Sequence, residues 1–388
     1  MKCISLKLTN FRNIAECDIG FGQKNFLVGD NGEGKTNVLE ALYYLSAGDS
    51  FRTHNEQWAI RTGELFSRIE AELQLDNGNP RVASIVLERD ELGVTKNFRL
   101  DNAKVNKGSF LGSCLMVLFS PENVSLMRLQ PAVRRSFMNH IIAKTDFTYY
   151  DDLMAYARAL KQRNQLLALI RRRQAEVSEL GPWDDRLSAL GSQIIRKRQA
   201  LVDALGAWVS HFYSRVVGNP DARLRVIYQT DAGSITPEQY ISRLIKNRDE
   251  DIRYGHTTFG PHRDDLVFLL NDLDARAIAS QGEFRLIMVA LKLAEGEYIK
   301  KTLQEVPIYL LDDIFSELDE ANSKRVMGLL DEAQVVVTTT ERQLVPKDAR
   351  LLNVESGEVT SPVIATPPPV VATPPPVIAS DSEAISVD

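Results

Sequence analysis

The sequence predicts an α/β fold whose core is divided by a long helical insertion. Near the N-terminus, a glycine-rich loop at 29–36 stands between an apolar strand pattern and a helical pattern. Near the other end of the chain, an apolar strand ends in two carboxylates, Asp312 and Asp313. Between these elements, residues 121–220 are poor in glycine and mostly helical in their periodicity. The segments 1–120 and 221–355 are therefore expected to form one core around an inserted helical domain.

The composition predicts a soluble globular protein. The chain has 388 residues, of which 44% are hydrophobic and 25% charged, enough for two domains or one elaborated domain. No apolar stretch approaches the length of a membrane span, and the start of the chain lacks the apolar region of a secretion signal. Cys3, Cys17 and Cys114 lack a paired spacing and are typical of a reducing compartment, so we expect a cytoplasmic protein without a membrane partner. The net charge of −6 excludes a uniformly basic nucleic-acid coat but allows a local basic patch.

The glycine-rich loop has the sequence of a phosphate-binding loop. Residues 29–36 fit G-x-x-x-x-G-K-[ST], in which backbone N–H groups cradle phosphates while the lysine and the hydroxyl reach the outer phosphates and Mg²⁺. The strand pattern at 25–28 and the helical spacing at 37–44 place this loop at a helix N-terminus. A glycine-rich surface turn is the alternative, but it does not explain these flanks. We predict a nucleotide phosphate site formed by Gly29, Asp30, Asn31, Gly32, Glu33, Gly34, Lys35 and Thr36.

The strands around this loop are predicted from the alternation of apolar and polar residues. Residues 2–8 and 14–19 alternate on either side of a turn at 9–13, which predicts a strand pair. Three further runs between 69 and 100 are separated by turn residues and predict an antiparallel meander attached to the core. A continuous apolar run at 115–119 has the length of a buried strand.

Two long helices are predicted in the insertion. Apolar residues recur at helical spacing through 149–173 and 183–217, with a break at Gly181 and Pro182, which predicts a helical hairpin or arm. Between 158 and 198 there are ten lysines and arginines but four acids. A solvated helix face and a patch that contacts nucleic-acid phosphates both explain this excess. The candidates for DNA contact are Arg158, Lys161, Arg171, Arg172, Arg173, Arg196, Lys197 and Arg198.

The C-terminal half combines a strand at 222–229, a helix at 237–247 and a charged turn at 259–266. His262 in this turn has either a structural or a direct functional role, and the structural role is the commoner one for such a histidine. A further helix begins at Ser280 and extends to about 301. Ser280 and Glu283 fit a capping box, while Ser280 and Gly282 could instead present a hydroxyl and bare backbone to a phosphate.

The strand at 307–313 brings a carboxylate to the predicted phosphate site. A buried parallel strand projects its last residues at one edge of the sheet, so Asp312 can hold the Mg²⁺ that Thr36 also contacts. Paired acids at a strand end also occur as solubilising residues, which is the alternative. A further core strand at 334–340 ends in hydroxyl side chains that we expect to open towards the same site.

The tail at 356–388 differs in kind from the rest of the chain. A seven-residue proline-rich segment at 366–372 is repeated almost unchanged at 373–379 and predicts an extended, disordered chain. We assign no chemistry to this tail, although a role as a proline-rich ligand stays open.

The order of these motifs resembles the SMC-like branch of the ABC-type ATPases and, within it, the RecF family of bacterial recombination mediators. The resemblance spans residues 1 to about 355 and implies an ABC-type ATPase head, with a mixed sheet around the P-loop and an antiparallel β subdomain, plus a helical insertion domain. The motifs that carry it are Asn10-Phe11-Arg12-Asn13, the loop 29–36 with Asn37, Phe119-Ser120-Pro121-Glu122, the turn 260–266, Ser280-Gln281-Gly282 and Leu311-Asp312-Asp313.

The resemblance also implies cofactors and the residues that bind them. ATP and Mg²⁺ are the implied cofactors, and Arg12 and Asn37 are expected to join the P-loop in binding ATP. Thr36 and Asp312 are the implied metal-binding residues. Lys35 is implied to act in catalysis as well as in binding.

Three further roles are implied by the resemblance. Asp313 is the implied catalytic carboxylate and stands where ABC ATPases usually carry a glutamate, which suggests slow turnover. The segment Ser280-Gln281-Gly282 is the implied signature, acting on the nucleotide of a second copy of the chain. The strand at 335–340 lacks the histidine found in many transporters, so Thr339 or Thr340 would sense the γ-phosphate.

The function implied by the resemblance is that of an ATP-dependent DNA-binding mediator of recombinational repair and replication-fork maintenance. ATP would drive a homodimer onto single- or double-stranded DNA, and slow DNA-dependent hydrolysis would release it. RecO and RecR are the implied partners in loading recombinase at single-strand/double-strand junctions. The alternatives are a transport-type ABC subunit, for which the expected glutamate is missing, and a passive nucleotide-gated scaffold.

Overall fold

The computed structural model of the protein describes residues 1–53, 55–233, 235–316 and 318–361. These residues form two six-stranded sheets, a helical arm and a small third sheet. The strands are β1 Lys2–Phe11, β2 Ile14–Gly20, β3 Lys24–Val28, β4 Phe66–Gln74, β5 Pro80–Asp90, β6 Gly93–Leu100, β7 Ala103–Val105, β8 Met116–Phe119, β9 Leu224–Gln229, β10 Asp265–Leu270, β11 Leu273–Asp274, β12 Ile308–Asp312, β13 Val335–Thr339, β14 Arg350–Glu355 and β15 Glu358–Thr360. The α-helices are α1 Lys35–Ala47, α2 Lys107–Phe110, α3 Pro121–Leu129, α4 Pro131–Thr145, α5 Tyr149–Arg171, α6 Gly181–Val217, α7 Pro237–Lys246, α8 Arg248–Tyr254, α9 Ala275–Ile278, α10 Gln281–Leu303 and α11 Glu320–Leu329.

The central sheet is built from strands that the sequence marked by continuous apolar runs. Its order is β15-β14-β3-β13-β12-β8, and its neighbours are parallel except at the β14–β15 edge. Every residue of β8, β12 and β13 is buried, which explains why these strands are apolar throughout rather than alternating. Because the strands are parallel, the carboxyl ends of β3 and β12 lie at one edge, where the loop 29–36 meets Asp312.

The second six-stranded sheet is antiparallel and has the order β2-β1-β4-β5-β6-β7. The predicted meander of β4, β5 and β6 is confirmed. The sequence did not reveal that β1 and β2 join the same sheet, in which β1 pairs with β4 from Lys2↔Gln74 to Thr9↔Arg68. Alternation within a strand marks its buried face but does not identify its partner, so local pattern could not predict this pairing.

Helix α1 lies between the two six-stranded sheets. It begins directly after the glycine-rich loop and ends before Gly48, which has a left-handed φ of 70°. Val38, Leu39 and Leu42 of α1 belong to the same hydrophobic core as residues of both sheets. Burial on more than one side accounts for the broad apolar surface of this helix and holds its N-terminus against the central sheet.

The predicted helical arm is a hairpin of α5 and α6, which have 23 and 37 residues and pack along each other. The predicted break between the two helices is present, but it lies before Gly181 and Pro182, which begin α6. Proline is favoured in the first helical turn, where its missing N–H has no partner. The three-stranded sheet β11-β10-β9 packs against α6. No described helix is both long enough and apolar enough to cross a membrane.

A second hydrophobic core extends beyond the domain boundary predicted at 220. It continues from the arm into β9, β10 and the first half of α10, where Phe284 and Ile287 are buried. Val289 and Leu293 of the same helix belong to the first core. Helix α10 therefore joins the two cores. Its periodicity marked its apolar residues but could not show that they pack into different cores.

Helices α8 and α11 and strands β14 and β15 were not predicted from the sequence. Helix α11 has a single buried residue, Val326, and therefore no apolar stripe that a pattern would reveal. Strand β15 lies inside the segment 356–388 that was assigned to the tail, so that assignment began too early. It pairs with β14 across a two-residue turn in which Ser356 and Gly357 both have positive φ. The proline-rich repeat at 366–379 lies outside the described residues.

Candidate nucleotide-binding site

The glycine-rich loop connects the end of β3 to the first turn of α1. Gly34 precedes the helix with a φ of 113°, a conformation that L side chains rarely adopt. A Cβ atom on Gly29 would lie 2.1 Å from the carbonyl oxygen of Val354 in β14, so no larger residue fits there. Glycine at these two positions lets the loop pass close to β14 and turn into α1, whose first N–H groups are available to an anion.

Lys35 is largely buried and turns back over this loop. Its Nζ donates hydrogen bonds to the carbonyl oxygens of Gly29 and Asp30 at 2.7 and 2.8 Å. Burial lowers the pKa of Lys35 below its ordinary value, while nearby carboxylates, led by Asp313, act in the opposite direction. An anion in the cleft would be a stronger partner for this ammonium group than two neutral carbonyl groups.

Asp312 links the glycine-rich loop to the neighbouring strand β13. Its Oδ1 accepts hydrogen bonds from the Thr36 hydroxyl at 3.0 Å and from the Thr338 hydroxyl at 2.8 Å. Burial raises the pKa of Asp312 above its ordinary value, and the hydrogen bonds from Thr338 and Thr36 oppose that rise. The predicted proximity of Thr36 and Asp312 is therefore present, and both side chains offer oxygen ligands.

Asp313 lies beside Asp312 but is held through its backbone. Its φ is 48°, in the left-handed region, and its N–H donates a hydrogen bond to the Thr338 hydroxyl at 2.9 Å. Its carboxylate accepts a hydrogen bond from the Ser316 hydroxyl at 3.0 Å. The hydroxyl of Thr338 thus contacts both aspartates, as a donor to Asp312 and as an acceptor from Asp313.

The structure places Thr338 at the cleft, rather than the predicted Thr339 or Thr340. Asp312 and Thr338 are directly paired in the parallel register of β12 and β13. Side chains alternate between the two faces of a sheet, so Thr339 points away, where its hydroxyl accepts a hydrogen bond from the N–H of Glu341 at 3.0 Å. Thr340 follows the end of β13 and is exposed. The three threonines are equivalent in sequence, and only the register distinguishes them.

An open cleft of about 1000 Å³ lies over these groups. Of the predicted residues, those that line it are Arg12, Asn31, Gly32, Gly34, Lys35, Thr36, Asn37, Asp312 and Asp313. Three predicted ATP-binding residues, Gly29, Asp30 and Glu33, lie in the loop but not in the cleft wall. The carboxylate and the carbonyl of Glu33 accept hydrogen bonds from the backbone N–H groups of Ser356 and Gly357, so Glu33 faces the β14–β15 turn.

Arg12 reaches the cleft wall, but its guanidinium group is held by Glu40 of α1. Its Nε donates to one carboxylate oxygen at 2.9 Å and its Nη2 donates to the other. Glu40 is fully buried, and Arg52 lies 3.6 Å from it as a second cation. Arg12 therefore contributes positive charge at the wall while its position is fixed by an ion pair.

Part of the cleft wall was missed by the sequence analysis. The segment 56–62 lies beside the β1–β2 turn because Arg12 N–H bonds to the Ala59 carbonyl at 3.0 Å and Phe11 pairs with Ile60. Trp58, which is 64% exposed, faces the cleft there. A lone tryptophan in a polar stretch was the only local signal. The lining residues not predicted as site residues are Asn13, Phe51, Arg52, Trp58, Ile60, Arg61, Thr62, Ser120, Pro121 and Thr338.

Comparison with known proteins agrees with this arrangement. The sequence model of the RecF/RecN/SMC N terminal domain matches residues 3–361. DNA replication and repair protein RecF of Clostridioides difficile is 34% identical over 373 residues, which cover 93% of this chain and 98% of that protein. The chain belongs to the RecF family. The RecF protein of Moorella thermoacetica is 36% identical over 352 residues, with coverages of 89% and 91%.

Solved structures confirm the predicted ABC-type ATPase head. A structure titled as the recombination mediator protein RecF with ATP in the RecFOR pathway has a TM-score of 0.85 at 29% identity, covering 92% of this chain and 97% of that one. An Smc head bound to the C-winged helix domain of ScpA has a TM-score of 0.53 at 17% identity, covering 94% and 98%, and shares the fold alone. The mixed sheet with its antiparallel subdomain is thus the fold of RecF and Smc heads.

The segment predicted as the signature of this RecF-family chain lies at the start of α10, outside the cleft. Ser280 is the N-cap: its hydroxyl accepts a hydrogen bond from Glu283 N–H at 3.2 Å, and the Glu283 carboxylate accepts one from Ser280 N–H at 2.9 Å. The predicted capping box is confirmed. Ser280, Gln281 and Gly282 are all exposed, and none of them lines the cleft of the same chain.

The predicted DNA-contacting cations of the arm fall into two groups. Arg158, Lys161, Arg171–173 and Arg196 are exposed. Arg198 is only 2% exposed, and its Nη1 bonds to the Pro261 carbonyl at 2.6 Å, so it is not one of the exposed cations on the surface of the arm, as the prediction required. The cause is its position on the buried stripe of α6. Lys197 is half-buried and ion-paired with Asp146 at 2.7 Å, which leaves it a weak candidate.

His262 belongs to the packing of the arm, in line with its structural interpretation. The Tyr156 hydroxyl lies 2.9 Å from Nδ1, and the Thr257 carbonyl accepts a hydrogen bond from Nε2 at 3.1 Å. Burial lowers the pKa of His262 to about 4, so the ring is neutral near pH 7. Gly260 permits this arrangement, since a Cβ there would lie 2.3 Å from the Tyr240 hydroxyl.

Proposed function

We propose that this RecF-family chain is an ATP-dependent DNA-binding recombination mediator that acts in DNA repair and replication-fork maintenance. ATP would bring two copies together on DNA, and slow hydrolysis would release them. The observation that carries the proposal is the contact between Thr36 of the P-loop and Asp312 of β12, 3.0 Å apart at the edge of the central sheet. The names of the relatives, as DNA replication and repair proteins, support the same role.

ATP and Mg²⁺ are the proposed cofactors. Mg²⁺ prefers oxygen ligands and usually binds one or two carboxylates together with substrate phosphates, which the hydroxyl of Thr36 and the carboxylate of Asp312 suit. Bound there, the ion would offset negative charge on the β- and γ-phosphates. Lys35 would bind the outer phosphates, and the N–H groups at the start of α1 would bind the β-phosphate. The solved RecF structure with ATP supports the choice of nucleotide.

Slow hydrolysis is proposed because Asp313 stands at the position of the water-polarising carboxylate. An aspartate is one methylene shorter than a glutamate, so its oxygens reach less far towards a water in line with the γ-phosphate. One of those oxygens also accepts a hydrogen bond from Ser316 at 3.0 Å. The left-handed backbone at Asp313, held by Thr338, limits how far the carboxylate can move. DNA binding is proposed to raise this low rate.

Dimerisation is proposed from the exposed start of α10. Free N–H groups and the helix dipole make a helix N-terminus favourable for an anion. In a dimer, Ser280, Gln281 and Gly282 would meet the γ-phosphate bound to the partner, where they would complete its site. ATP would then favour the paired state through its greater affinity for that state. The carboxylate of Glu283 is engaged in capping α10, where it accepts a hydrogen bond from the N–H of Ser280 at 2.9 Å.

The exposed arm cations are the proposed DNA contacts. These exposed residues are Arg158, Lys161, Arg171, Arg172, Arg173 and Arg196. Single- and double-stranded DNA and their junctions are the proposed targets. RecO and RecR are the proposed protein partners, supported by the RecFOR pathway named for the solved relative. The proposed place of action is the cytoplasm.

Light scattering with and without DNA tests the ATP-dependent part of this proposal. With Mg²⁺ and a non-cleavable ATP analogue, the wild-type chain should double in mass and retain duplex DNA, whereas Lys35→Met should stay monomeric and release the duplex. Lys104→Met, at an exposed position of β7, is the matched control and should behave as the wild type. Unchanged DNA retention by Lys35→Met would indicate a passive scaffold instead. A wild-type monomer indifferent to both ligands would refute the proposal.

The salt dependence of binding tests the arm. Each phosphate contact contributes about 0.9 to the slope of log K against log salt concentration. Replacing Arg171, Arg172 and Arg173 together with glutamine should therefore lower the slope by about 2 to 3. The control is a triple glutamine variant with the same charge change in the ATPase head, at the exposed residues Arg89, Arg99 and Arg342. Equal slopes for the two triple variants would remove the arm from the DNA interface.

A further inference from the structure

A small pocket on the helical arm is separate from the P-loop cleft. It has a volume of about 230 Å³ and lies between the first half of α4, the middle of α5 and the loop at 260–263. Arg135, Ser136, Asn139 and Arg198 are its polar wall, and Leu153 and Leu160 are on the apolar side. Ligand sites for drug-sized molecules usually exceed about 300 Å³, so this pocket suits a small chemical group.

Two arginines give the pocket positive charge, and among the described residues neither forms an ion pair with a carboxylate. The Nη1 of Arg135 donates a hydrogen bond to the Asp264 carbonyl at 2.9 Å, and among the described residues its Nε and Nη2 have no hydrogen-bond partner. Arg198 is buried, and within the same residues it forms hydrogen bonds but no ion pair. Burial and the nearby charge of Arg198 lower the pKa of Arg135, while the carboxylates of Asp265 and Asp264 act in the opposite direction.

The neutral polar groups of the pocket are also hydrogen-bond donors. Asn139 Oδ1 accepts three hydrogen bonds, from the Tyr149 hydroxyl at 2.8 Å and from Arg198 Nε and Nη2 at 3.1 and 2.8 Å. Because this atom accepts hydrogen bonds from three donors, it is the amide oxygen of Asn139, and the other amide atom is the Nδ2 donor. Among the described residues, neither this Nδ2 nor the Ser136 hydroxyl has a hydrogen-bond partner. The groups left over are therefore suited to an acceptor.

The nearby acids do not compete for these donors. Asp265 accepts two hydrogen bonds from Arg134, both at 2.7 Å. The carboxylate of Asp264 accepts a hydrogen bond from the Tyr228 hydroxyl in the interior of the arm. His262 is neutral and already bonded through both ring nitrogens to Tyr156 and Thr257. No acid is among the residues that line this pocket within the described chain.

We propose that this pocket binds a phosphate group. Arginine and amide or hydroxyl donors converging on one point are the usual protein partners of phosphate oxygens. Exposed cations follow the pocket wall in sequence: Arg158 comes after Ala157, Lys161 after Leu160 and Arg263 after His262. Because these cations continue the positive charge of the pocket along the arm, the bound phosphate is assigned to the backbone of a polynucleotide that runs along the arm. That last step rests on the proposed DNA-binding function, whereas the phosphate chemistry of the pocket does not.

The first experiment measures the binding of inorganic phosphate alone. The P-loop is first saturated with Mg²⁺ and a non-cleavable ATP analogue, and inorganic phosphate is then titrated and followed by ³¹P line broadening. Arg135→Gln and Ser136→Asp should each weaken this binding at least tenfold. Ser136→Asp leaves the Arg135 contact with Asp264 in place and therefore separates loss of the site from loss of structure. Arg89→Gln, an exposed arginine on β5, is the charge-matched control and should bind as the wild type.

The second experiment measures the affinity for duplex and single-stranded DNA as a function of salt concentration. Arg135→Gln should lower the slope of log K against log salt concentration by about 1, the value for one phosphate contact, and Arg89→Gln should leave this slope unchanged. Loss of phosphate binding with an unaltered DNA slope would keep the pocket as a phosphate site but assign it to a free phosphate-bearing molecule. Equal phosphate binding by the wild type and both pocket variants would overturn the inference. If the wild type binds no DNA, the proposed function fails, and the phosphate titration still decides the pocket.

Discussion

Thr338 shows at the residue scale how register selects one side chain from three. Of the three consecutive threonines at 338–340, two end β13 and one follows it, and only Thr338 is paired with Asp312. Its hydroxyl donates to the carboxylate of Asp312 and accepts from the N–H of Asp313. It therefore determines the positions of the proposed metal-binding and water-polarising carboxylates. Thr339, on the other face of the strand, does neither.

Thr338→Val is expected to impair turnover more than ATP binding. Valine has nearly the same shape but neither donates to Asp312 nor accepts from the half-buried N–H of Asp313, which costs about 1–3 kcal/mol of stability. We expect the rate of ATP hydrolysis to fall about tenfold, equivalent to ~1.4 kcal/mol in the barrier, with little change in ATP affinity. Single-turnover hydrolysis and nucleotide titration measure the two quantities.

Thr339→Val is the neighbouring control and should retain wild-type turnover. The Thr339 hydroxyl contacts only the N–H of Glu341. If the two valine variants hydrolyse ATP at the same rate, the assignment of Thr338 is incorrect.

Arg198 is a second residue whose role depends on its position. The residues Ile194, Ile195, Leu201 and Val202 are buried on α6, and Arg198 occupies the same helical stripe. The i−4, i−3, i+3 and i+4 apolar neighbours were therefore a signal that this arginine points inwards. The excess of lysine and arginine along the segment does not contain this information, because it does not distinguish the buried face of the helix from the exposed one.

At the element scale, the loop at 260–264 joins the arm to the small third sheet. Gly260 approaches Tyr156 and Tyr240, Pro261 accepts a hydrogen bond from Arg198, and His262 bonds to Tyr156. A loop with so many buried polar contacts stabilises the packing of α5, α6 and α7. Gly260, Pro261 and His262 of this turn thus have a packing function, whereas Arg263 beside them is exposed.

His262 contributes to the pH dependence of stability. Burial lowers the pKa of His262 from 6.5 to about 4 in the folded protein. Between these two pH values the unfolded chain binds the proton and the folded chain does not, so stability is lost as pH falls from 6.5 towards 4. His262 alone accounts for a loss of about 3 kcal/mol over this window. Below pH 4 it contributes no further loss.

Replacement of His262 by asparagine should make the acid loss of stability smaller. The variant starts from a lower stability at pH 7 because hydrogen bonds are lost, but it should then lose about 3 kcal/mol less than the wild type on acidification. Urea unfolding at a series of pH values measures this. His140, whose pKa burial also lowers to about 4, leaves part of the slope in place. His211→Asn, at an exposed position, should follow the wild-type curve. Parallel curves for wild type and His262→Asn would contradict the prediction.

At the scale of the whole molecule, α10 connects the two hydrophobic cores and carries the proposed signature at its free end. Phe284 and Ile287 near its start pack into the core of the arm, whereas Val289 and Leu293 pack into the core of the head. A change in position of the arm relative to the head would therefore move Ser280 and Gly282. Because these residues are exposed and lie outside the cleft of their own chain, their proposed contact with nucleotide requires a second copy.

Gly282→Gln is expected to block ATP-dependent dimerisation without destabilising the monomer. A Cβ at Gly282 meets no atom within 4 Å, and glutamine is a better helix former than glycine by several tenths of a kcal/mol. The added side chain would instead clash with a partner that approaches the start of α10. We expect dimer formation with a non-cleavable ATP analogue to weaken at least tenfold, measured by light scattering. ATP binding by the monomer should be unchanged.

Gly328→Gln provides the matched control for this variant. Gly328 is also an exposed helical glycine with nothing within 4 Å of a Cβ, but it lies on α11. The Gly328→Gln variant should form the ATP-dependent dimer as the wild type does. If Gly282→Gln dimerises equally well, the start of α10 is not part of the interface.

The sequence by itself determined the local elements and the chemical groups of the proposed site. The P-loop motif, the apolar strands β3, β8, β12 and β13 and the long helices of the arm depend on spacing and periodicity within short segments, which the sequence contains. The pairing of Thr36 with Asp312 also followed, because parallel strands bring their carboxyl ends to one edge.

Only the tertiary structure decided which distant residues meet. The addition of β1 and β2 to the antiparallel sheet, the choice of Thr338, the position of Trp58 at the cleft and the burial of Arg198 all depend on strand partners, register and helix packing. These are contacts between residues far apart in the chain, and their free energies are set by burial and hydrogen bonding in the assembled fold rather than by any local pattern.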